Sequence, residues 1–236
     1  MAKIFSGKIV LVTGASRGIG RAAAIALGRE GAHVICVART VGGLEETDDA
    51  IQKAGGTATL VPLNLKDFAA IDRLGASIFE RWKKLDALFG NAGTLGVLTP
   101  LTHLDPKVFQ ELLDINVTAN WRLIRSLDPL LRQSDAGRAL FVSSSVARKH
   151  LPYWGGSATT KAALEMLAFT YAAELSGTNV KVNVLDPGPV RTLMRAKAMP
   201  GEDPATLPRP EDLTPMILEA LSPSNEKNGE LIKFRK

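Results

Sequence analysis

Three glycines near the start of the chain have the spacing of a phosphate-binding turn. Residues 13–20 read TGASRGIG, which places Gly14, Gly18 and Gly20 between the β-branched run KIVLVTG and the helical pattern GRAAAIALGREG. Glycine permits a tight turn and lets backbone N–H groups approach a pyrophosphate, and the positive end of the following helix favours the phosphate charge. Because the turn follows the first strand of a strand–helix–strand unit, it predicts a dinucleotide site.

The end of the second predicted strand indicates which dinucleotide would bind. Sites for NAD carry an acidic side chain there for the ribose hydroxyl, whereas sites for NADP offer arginine to the 2'-phosphate. This strand ends in VART, so Ala38 takes the place of the acid and Arg39 follows it, while Arg17 lies in the glycine-rich turn. Two guanidinium groups can donate hydrogen bonds in pairs to one phosphate. We therefore expect NADP(H) to be preferred over NAD(H), the alternative being that both arginines are solvated surface residues.

Short β-branched runs alternate with longer amphipathic stretches along the whole chain. The pattern predicts strands in KIVLVTG, HVICVA, residues 57–63, DALFGNAG, GRALFVSS, VKVNVLDPG and GELIKF. Between them it predicts a helix after the glycine-rich turn and helices near 43–54, 68–81, 106–132, 157–175 and 211–221. Strands that alternate with helices form a parallel sheet. We therefore expect an α/β fold, a Rossmann-type doubly wound parallel sheet of about seven strands with helices on both faces.

Length and composition limit the classes of protein to which the chain can belong. Its 236 residues, 45% of them hydrophobic, suit a single domain over residues 1–236. The proline-rich segment at about 187–210 does not suit a long helix, and we interpret it as a mobile substrate flap. Cys36 lies in the apolar run HVICVA, which predicts a buried, inert thiol. No metal site is expected.

The distribution of charge and apolar residues bears on the partners. No apolar run approaches the roughly 18 residues of a membrane span. The net charge of +5 is scattered along the chain without a basic block or interleaved aromatic residues. We therefore expect a cytoplasmic protein that binds neither a membrane nor nucleic acid.

Five motifs, in order along the chain, resemble those of the short-chain dehydrogenase/reductase family. They are T-G-x-x-x-G-x-G at 13–20, NAG at 91–93 after the fourth strand, the asparagine of DINVTAN, SSS at 143–145 after the fifth strand, and DPG at 186–188 after the sixth. The resemblance covers nearly the whole chain. It implies contacts to a nicotinamide cofactor from Gly14, Ser16, Arg17, Gly18, Ile19, Gly20, Arg39, Asn64, Leu65, Asn91, Ala92, Gly93, Lys161, Pro187, Gly188 and Thr192. At position 64 this chain has asparagine where the family usually has an aspartate beside the adenine.

The resemblance also implies a hydride transfer between nicotinamide and a small-molecule ketone or alcohol. In the family a serine polarises the carbonyl, a tyrosine supplies the proton, a lysine four residues later lowers the tyrosine pKa, and an asparagine anchors a relay water. Here Ser144, Lys161 and Asn116 match three of these positions, and Ser145 is the alternative to Ser144. Ser157 stands at the position of the tyrosine.

Ser157 leaves the proton donor in question. An aliphatic hydroxyl is a much weaker acid than a phenol, so we expect weak catalysis, and the residue could equally be the N-cap of its helix. Four neighbouring side chains could replace the phenol, although none of them is convincing, and they are Tyr153, Thr159, Thr160 and His150. Two functions remain open. The chain is either an impaired NADP(H)-dependent oxidoreductase or a non-catalytic NADP(H)-binding or scaffolding protein.

Two long predicted helices suggest how the chain would assemble. The helices at about 106–132 and 157–175 carry apolar residues on more than one face, including Leu112, Ile115, Leu123, Leu164, Leu167 and Phe169. One face must cover the sheet, and the remaining apolar surface favours contact with a second subunit. Together with the family resemblance, this predicts a homodimer or homotetramer.

Overall fold

Seven parallel strands form one sheet in the computed structural model, which describes residues 3–234. The strands are β1 Ile9–Thr13, β2 His33–Ala38, β3 Thr57–Pro62, β4 Ala87–Gly90, β5 Arg138–Val142, β6 Lys181–Asp186 and β7 Leu231–Lys233. They lie in the order β3-β2-β1-β4-β5-β6-β7, and each neighbouring pair is parallel. The predicted Rossmann-type sheet is confirmed.

Helices cover both faces of this sheet. They are α1 Gly18–Arg29, α2 Val41–Lys53, α3 Phe68–Trp82, α4 Pro106–Leu113, α5 Ala119–Leu131, α6 Gly155–Glu174, α7 Leu193–Ala198 and α8 Thr214–Leu221. Because successive side chains of a strand point to opposite faces, β1 contributes Val10 and Val12 to the core under α1, α2 and α8, and Leu11 to the core under α3, α5 and α6. Both faces are apolar, which explains why the strand sequences are continuous hydrophobic runs. Cys36 is fully buried, and burial raises the pKa of its thiol to about 12.

The long helix predicted at 106–132 is interrupted. Asp105 caps α4 by accepting hydrogen bonds from the N–H groups of Lys107 and Val108, with Pro106 in the first turn. A π-helical turn at Asp114–Thr118 then separates α4 from α5. This turn contains Asn116, whose side chain is held by a neighbouring loop, and such turns recur at functional sites.

The helix predicted from 157 begins two residues earlier, at Gly155, with Trp154 as its N-cap. Ser157 is therefore the third helical residue, and the interpretation of Ser157 as an N-cap was wrong. The first turn of this helix packs closely at two glycines. A Cβ on Gly155 would lie 2.3 Å from Leu101 Cδ2, and one on Gly156 would lie 2.8 Å from Leu112 Cδ1.

The segment at 187–210 contains one short helix, α7, and a 3-10 turn at Pro204–Thr206, as expected for a proline-rich stretch. Arg195 on α7 forms a two-point ion pair with Glu202, with both N–O distances 2.6 Å, and this pair folds the segment back on itself. A second 3-10 turn at Pro210–Leu213 leads into α8, which starts later than predicted. Across residues 3–234, none of the helices combines the length and apolar character needed to cross a membrane.

The apolar side chains cited for subunit contact mostly belong to the chain's own core. Leu112, Ile115, Leu123 and Leu164 are buried within the chain, so the argument from these four residues was wrong. Large exposed apolar side chains on the same helices are instead Trp121 on α5 and Met166 on α6. The assembly stays a prediction, now based on different residues.

Candidate active site

The candidate site lies where the strand order reverses. The chain runs from β1 outward to β2 and β3, then returns to place β4 on the other side of β1. Loops that follow neighbouring parallel strands open at the same edge of the sheet, and the point of reversal leaves a crevice between them. The loops after β1, β4, β5 and β6 carry most of the site residues predicted from the sequence.

The glycine-rich turn has the backbone conformation that requires glycine. Gly14 and Gly18 have φ values of +67° and +58°, in the left-handed region. A Cβ on Gly20 would lie 2.3 Å from the carbonyl oxygen of Gly14, so the start of α1 packs directly on the turn. No side chain caps α1 at Arg17, which leaves its first N–H groups available to an anion.

Neighbouring elements hold this turn in place. The Thr47 hydroxyl on α2 donates to the carbonyl of Ala15, and Ser16 lies against Gly43 on the same helix. Ile19 packs on the core beneath α1. The turn is thus fixed against α2, which begins directly after Arg39 and Thr40.

A threonine joins the turn to the loop after β4. The Thr13 hydroxyl accepts hydrogen bonds from the backbone N–H groups of Asn91 and Ala92, both at 3.0 Å. The Asn91 amide donates to the Thr13 carbonyl at 3.0 Å. Asn91 therefore braces the two strand ends, while its neighbours Ala92 and Gly93 line the crevice. The sequence did not single out Thr13, because this threonine appears only as the first residue of the T-G-x-x-x-G-x-G motif.

Both arginines predicted to select the cofactor are exposed. Arg17 lies at the start of α1 and Arg39 directly follows β2, and the strands that precede them are paired at Thr13 and Val37. Ala38 is 8% exposed and ends β2 without a carboxylate. Asn64, after the edge strand β3, is exposed and uses its Oδ1 to accept from the N–H of Lys66, while Leu65 is buried.

Asn116, Lys161 and Gly93 meet in the crevice. A methyl group on Gly93 would lie 3.2 Å from Asn116 Oδ1 and 3.4 Å from Lys161 Nζ. The Asn116 amide accepts from the N–H of Thr94 at 2.8 Å and donates to the Thr94 carbonyl and to the Thr160 hydroxyl, both at 3.0 Å. The π-helical turn and α6 are thus fixed to the loop after β4.

Lys161 is a buried cation. It is 9% exposed, and its Nζ donates to the carbonyl of Val142, the last residue of β5, at 2.6 Å. Burial lowers the pKa of the ammonium group to about 8, against the opposing effect of the Glu165 carboxylate. The group is therefore still mostly protonated at neutral pH, and it loses that proton well below the usual lysine pKa.

The serines occupy different environments. Ser144 caps the 3-10 turn Ser145–Arg148 by accepting from the N–H of Val146, and it lies just beyond the strand end that Lys161 contacts. Ser157 lies one turn before Lys161 on α6 and is 7% exposed. Within the described residues the Ser157 hydroxyl has no hydrogen-bond partner, although its backbone carbonyl accepts from the Thr160 hydroxyl.

The four side chains that could replace a phenol lie in different surroundings. Thr160 is buried and already bonded to Asn116 and Ser157, and Thr159 points to solvent. His150 is exposed in the loop before α6. Tyr153 is 59% exposed and lines a surface cavity, as expected for a wall of the substrate pocket.

A charge network behind the site was not found from the sequence. Glu165 is 7% exposed, accepts from the Ser143 hydroxyl at 2.5 Å and pairs with Arg148, which also pairs with Asp186. Asp186 in turn accepts from the N–H of Gly188. The network therefore joins β5, α6 and the end of β6.

The loop after β6 approaches the glycine-rich turn. Gly188 has a φ of +64°, and buried Pro187 precedes it. Thr192 caps α7 by accepting from the N–H of Arg195, and its Cγ2 would lie 3.5 Å from a Cβ on Gly18. These residues thus lie beside the positions expected to hold the cofactor.

Comparison with known proteins identifies the family. The family model described as short chain dehydrogenase matches residues 8–203. The chain belongs to the short-chain dehydrogenase family. A curated relative, the uncharacterized oxidoreductase YciK from Escherichia coli strain K12, is 37% identical over 218 residues, which cover 91% of this chain and 86% of the relative.

Solved structures of short chain dehydrogenases agree closely. One from Shigella flexneri 2a strain 301, complexed with NADP, has a TM-score of 0.94 at 36% identity and covers 99% of both chains. One from Escherichia coli CFT073, complexed with NADPH, has a TM-score of 0.93 at 36% identity, with 99% of this chain and 98% of that chain covered. These comparisons confirm the predicted family, the fold and an oxidoreductase function.

Proposed function

We propose that this short-chain dehydrogenase is an NADP(H)-dependent oxidoreductase that interconverts a ketone and an alcohol slowly, because Ser157 occupies the position of the family tyrosine. The observation that supports this most directly is the convergence of Asn116 Oδ1, Lys161 Nζ and Gly93 beside the glycine-rich turn. Burying the Lys161 ammonium group costs desolvation, which the hydrogen bond to the Val142 carbonyl only partly offsets. A buried ammonium group facing a crevice is typical of a functional site.

The residues present suit a dinucleotide. The uncapped start of α1 offers N–H groups to the pyrophosphate, and Gly14, Gly18 and Gly20 let the backbone approach it. Arg17 and Arg39 are exposed, and position 38 holds an alanine instead of an acidic residue that would repel a phosphate. This combination favours the 2'-phosphate of NADP(H). We assign Ala92, Gly93, Pro187, Gly188 and Thr192 to the nicotinamide end, Asn64 and Leu65 to the adenine end, and Ser16 and Ile19 to the phosphate turn. The two solved relatives complexed with NADP and NADPH support the same preference.

The nicotinamide supplies or accepts the hydride when bound. During reduction, negative charge develops on the carbonyl oxygen of the substrate, and the Ser144 hydroxyl is assigned to donate a hydrogen bond to it. The Lys161 ammonium group stabilises the same charge below a pH of about 8. A water molecule held by Ser144, Ser157 and Lys161 supplies the proton in place of a phenol and is replaced from solvent. Asn116 keeps the loop after β4 and α6 in register for this arrangement.

A second candidate function is non-catalytic binding of NADP(H), as in a scaffolding protein. It is favoured by one observation, namely that neither Ser157 nor a nearby side chain provides a positioned acid. Lys161 would then serve only to hold the ribose.

Two measurements on the purified protein separate these candidates. Titration with NADPH and NADH tests the cofactor, and we expect tighter binding of NADPH, so equal or tighter binding of NADH contradicts the cofactor assignment. A panel of ketones with NADPH oxidation as the readout tests catalysis. Slow, saturable oxidation supports the oxidoreductase, whereas normal NADPH binding without turnover on any carbonyl supports the binding protein.

We also propose that the chain forms a homodimer or homotetramer through the helices at about 106–132 and 157–175. Trp121 and Met166 are the large apolar side chains that these helices expose, at 41% and 66%. Such side chains are common at the centre of subunit interfaces. Light scattering at micromolar concentration checks this, and a monomer contradicts it.

A further inference from the structure

A surface cavity of about 300 Å³ opens beside the candidate active site. Its lining residues come from the loop after β4 and from the segment that leads into α6, and they are Pro100, Leu101, Leu151, Pro152, Tyr153 and Gly155. Gly155 lies two residues before Ser157 on the same helix. The cavity therefore adjoins the position where the reacting carbonyl would lie. Its volume is at the lower end of the range for small-molecule pockets.

The lining is apolar and yet exposed to solvent. Leu101 is 68% exposed, Leu151 is 44% exposed and Tyr153 is 59% exposed, and no charged side chain lines the cavity. Single exposed apolar residues are ordinary, but several large ones in one concave patch mark a surface that is covered when a ligand binds. The tyrosine hydroxyl is the one polar side-chain group in the lining.

Backbone conformation and hydrogen bonding shape the walls of the cavity. Tyr153 has a φ of +72°, a left-handed conformation that is uncommon for an aromatic residue and that occurs preferentially at ligand sites. Its carbonyl accepts a hydrogen bond from the N–H of Thr99 at 3.1 Å, which joins the two lining loops. Leu101 lies on Gly155, and a Cβ at that glycine would meet the leucine side chain. The cavity is thus held open by specific contacts between its two walls.

Further apolar side chains are exposed on loops at the same edge of the sheet. Val97 in the loop after β4 is 56% exposed, and on the segment after β6 Leu193, Met194 and Met199 are 66%, 44% and 42% exposed. Because the carboxyl ends of parallel strands share one edge of the sheet, these loops lie on the same side as the cavity. The nearby charged residues Arg195 and Glu202 are paired with each other. Flexible methionines on such a rim accommodate apolar ligands of varied shape.

We propose that this cavity binds the apolar part of the substrate, so that the enzyme acts on ketones or alcohols carrying an extended hydrocarbon or aromatic group rather than on small polar carbonyls. This inference rests on the proposed function, since it places the reacting carbonyl at Ser144 and Ser157. The substrate's uncharged chain lies over Leu101, Leu151 and Tyr153. Tyr153 is then a specificity determinant through its ring.

A homologous series of 2-alkanones, about four to twelve carbons long, tests the proposal by binding alone. Calorimetric titration of the purified protein with each ketone measures the affinity without relying on turnover. We expect affinity to rise roughly twofold to fourfold per methylene group. The rise should stop when the cavity is full, at about ten non-hydrogen atoms if each fills about the volume of a water molecule.

Three variants make the test specific. Leu151→Gln and Tyr153→Asn should flatten the dependence on chain length, and asparagine is chosen because it tolerates the left-handed backbone. Phe79→Gln is the matched control. Phe79 is 50% exposed near the end of α3, which runs back to the opposite edge of the sheet, and this variant should leave the dependence unchanged.

The outcomes distinguish this inference from the proposed function. If longer ketones bind more tightly and Leu151→Gln abolishes the effect, the cavity is assigned even when no ketone is turned over. If small polar carbonyls are reduced and affinity does not depend on chain length, the oxidoreductase stands and the cavity proposal is overturned. Failure of every 2-alkanone to bind also overturns it, as does an equal effect of Phe79→Gln.

Discussion

Replacing Ser157 with tyrosine should increase carbonyl reduction. A phenol has a pKa near 10, whereas the pKa of an aliphatic hydroxyl is several units higher, and each unit corresponds to about 1.4 kcal/mol. Position 157 is one helical turn from Lys161, whose ammonium group is buried and charged below a pH of about 8. That charge lowers the pKa of a neighbouring phenol, but it cannot lower the pKa of a serine hydroxyl into the working range.

The size of the gain follows from the role of a general acid. Proton transfer by a positioned side chain contributes about 100-fold to 10,000-fold. The tyrosine would enter a site shaped by serine, so we expect only part of this, at least about tenfold in turnover, or about 1.4 kcal/mol of transition-state stabilisation. The affinity for NADPH should change little, because the phosphate turn is untouched. The gain should shrink above a pH of about 8, where Lys161 loses its charge.

The assay is steady-state oxidation of NADPH on a panel of ketones and quinones, with cofactor affinity measured separately by fluorescence. Ser157→Phe is the matched control, since it fills the same space without a hydroxyl. An equal gain in the phenylalanine variant would show that filling the site, and not proton donation, raises turnover. No gain from tyrosine on any ketone that binds would refute the reasoning about Ser157.

Three further predictions concern the surrounding charges. Arg39→Asp should weaken NADPH binding roughly tenfold to hundredfold and leave the affinity for NADH equal or higher. Titration with each cofactor measures this, and an equal loss of affinity for NADPH and NADH would contradict the role of Arg39. Burial lowers the pKa of Lys161 to about 8, so between about pH 8 and pH 10 this group binds more protons in the unfolded state than in the folded state and contributes stability that rises with pH. The raised pKa of Cys36 opposes this rise above about pH 9. The test is therefore the difference in denaturant unfolding between wild type and Lys161→Met, which should change with pH by roughly 3 kcal/mol at most over this range. Glu165→Gln removes the charge that pairs with Arg148 and should lower the free energy of unfolding by about 1–2 kcal/mol, because the arginine is partly exposed. The control in thermal melts is Glu174→Gln, since Glu174 is exposed on the same helix. Equal effects of the two substitutions would contradict the role of the Glu165–Arg148 pair.

The sequence correctly predicted those parts of the site whose conformation depends on residues close to one another in the chain. The left-handed glycines at 14 and 18 follow directly from a turn between a strand and a helix, and both have the expected conformation. The alternation of strands and helices likewise predicted the sheet, because each element must bury an apolar face against the next. The proline-rich composition of the segment after β6 correctly limited it to short helices.

Features with long-range causes were not predictable from the sequence. Glu165 is buried because Ser143 and Arg148 meet it after folding, and neither its spacing nor its charge on α6 indicates this. The preference of serine for helix N-caps misled the interpretation of Ser157, since α6 starts at Gly155 with Trp154 as its N-cap. The apolar residues of the two long helices also suggested a surface for a second subunit, although Leu123 and Leu164 are buried within this chain.

The π-helical turn at Asp114–Thr118 positions a site residue, Asn116, without disturbing the packing of the helix that follows. Each helical residue rotates the chain by about 100°, and a π-turn holds one more residue than a regular turn. Deleting one residue there would let the turn revert to a regular α-helical turn, so the buried face of α5, including Leu127, would stay on the sheet, whereas Asn116 would lose its register with Thr94. Such a deletion would therefore separate the site from the fold, because it removes the contacts of Asn116 and leaves the packing of α5 in place.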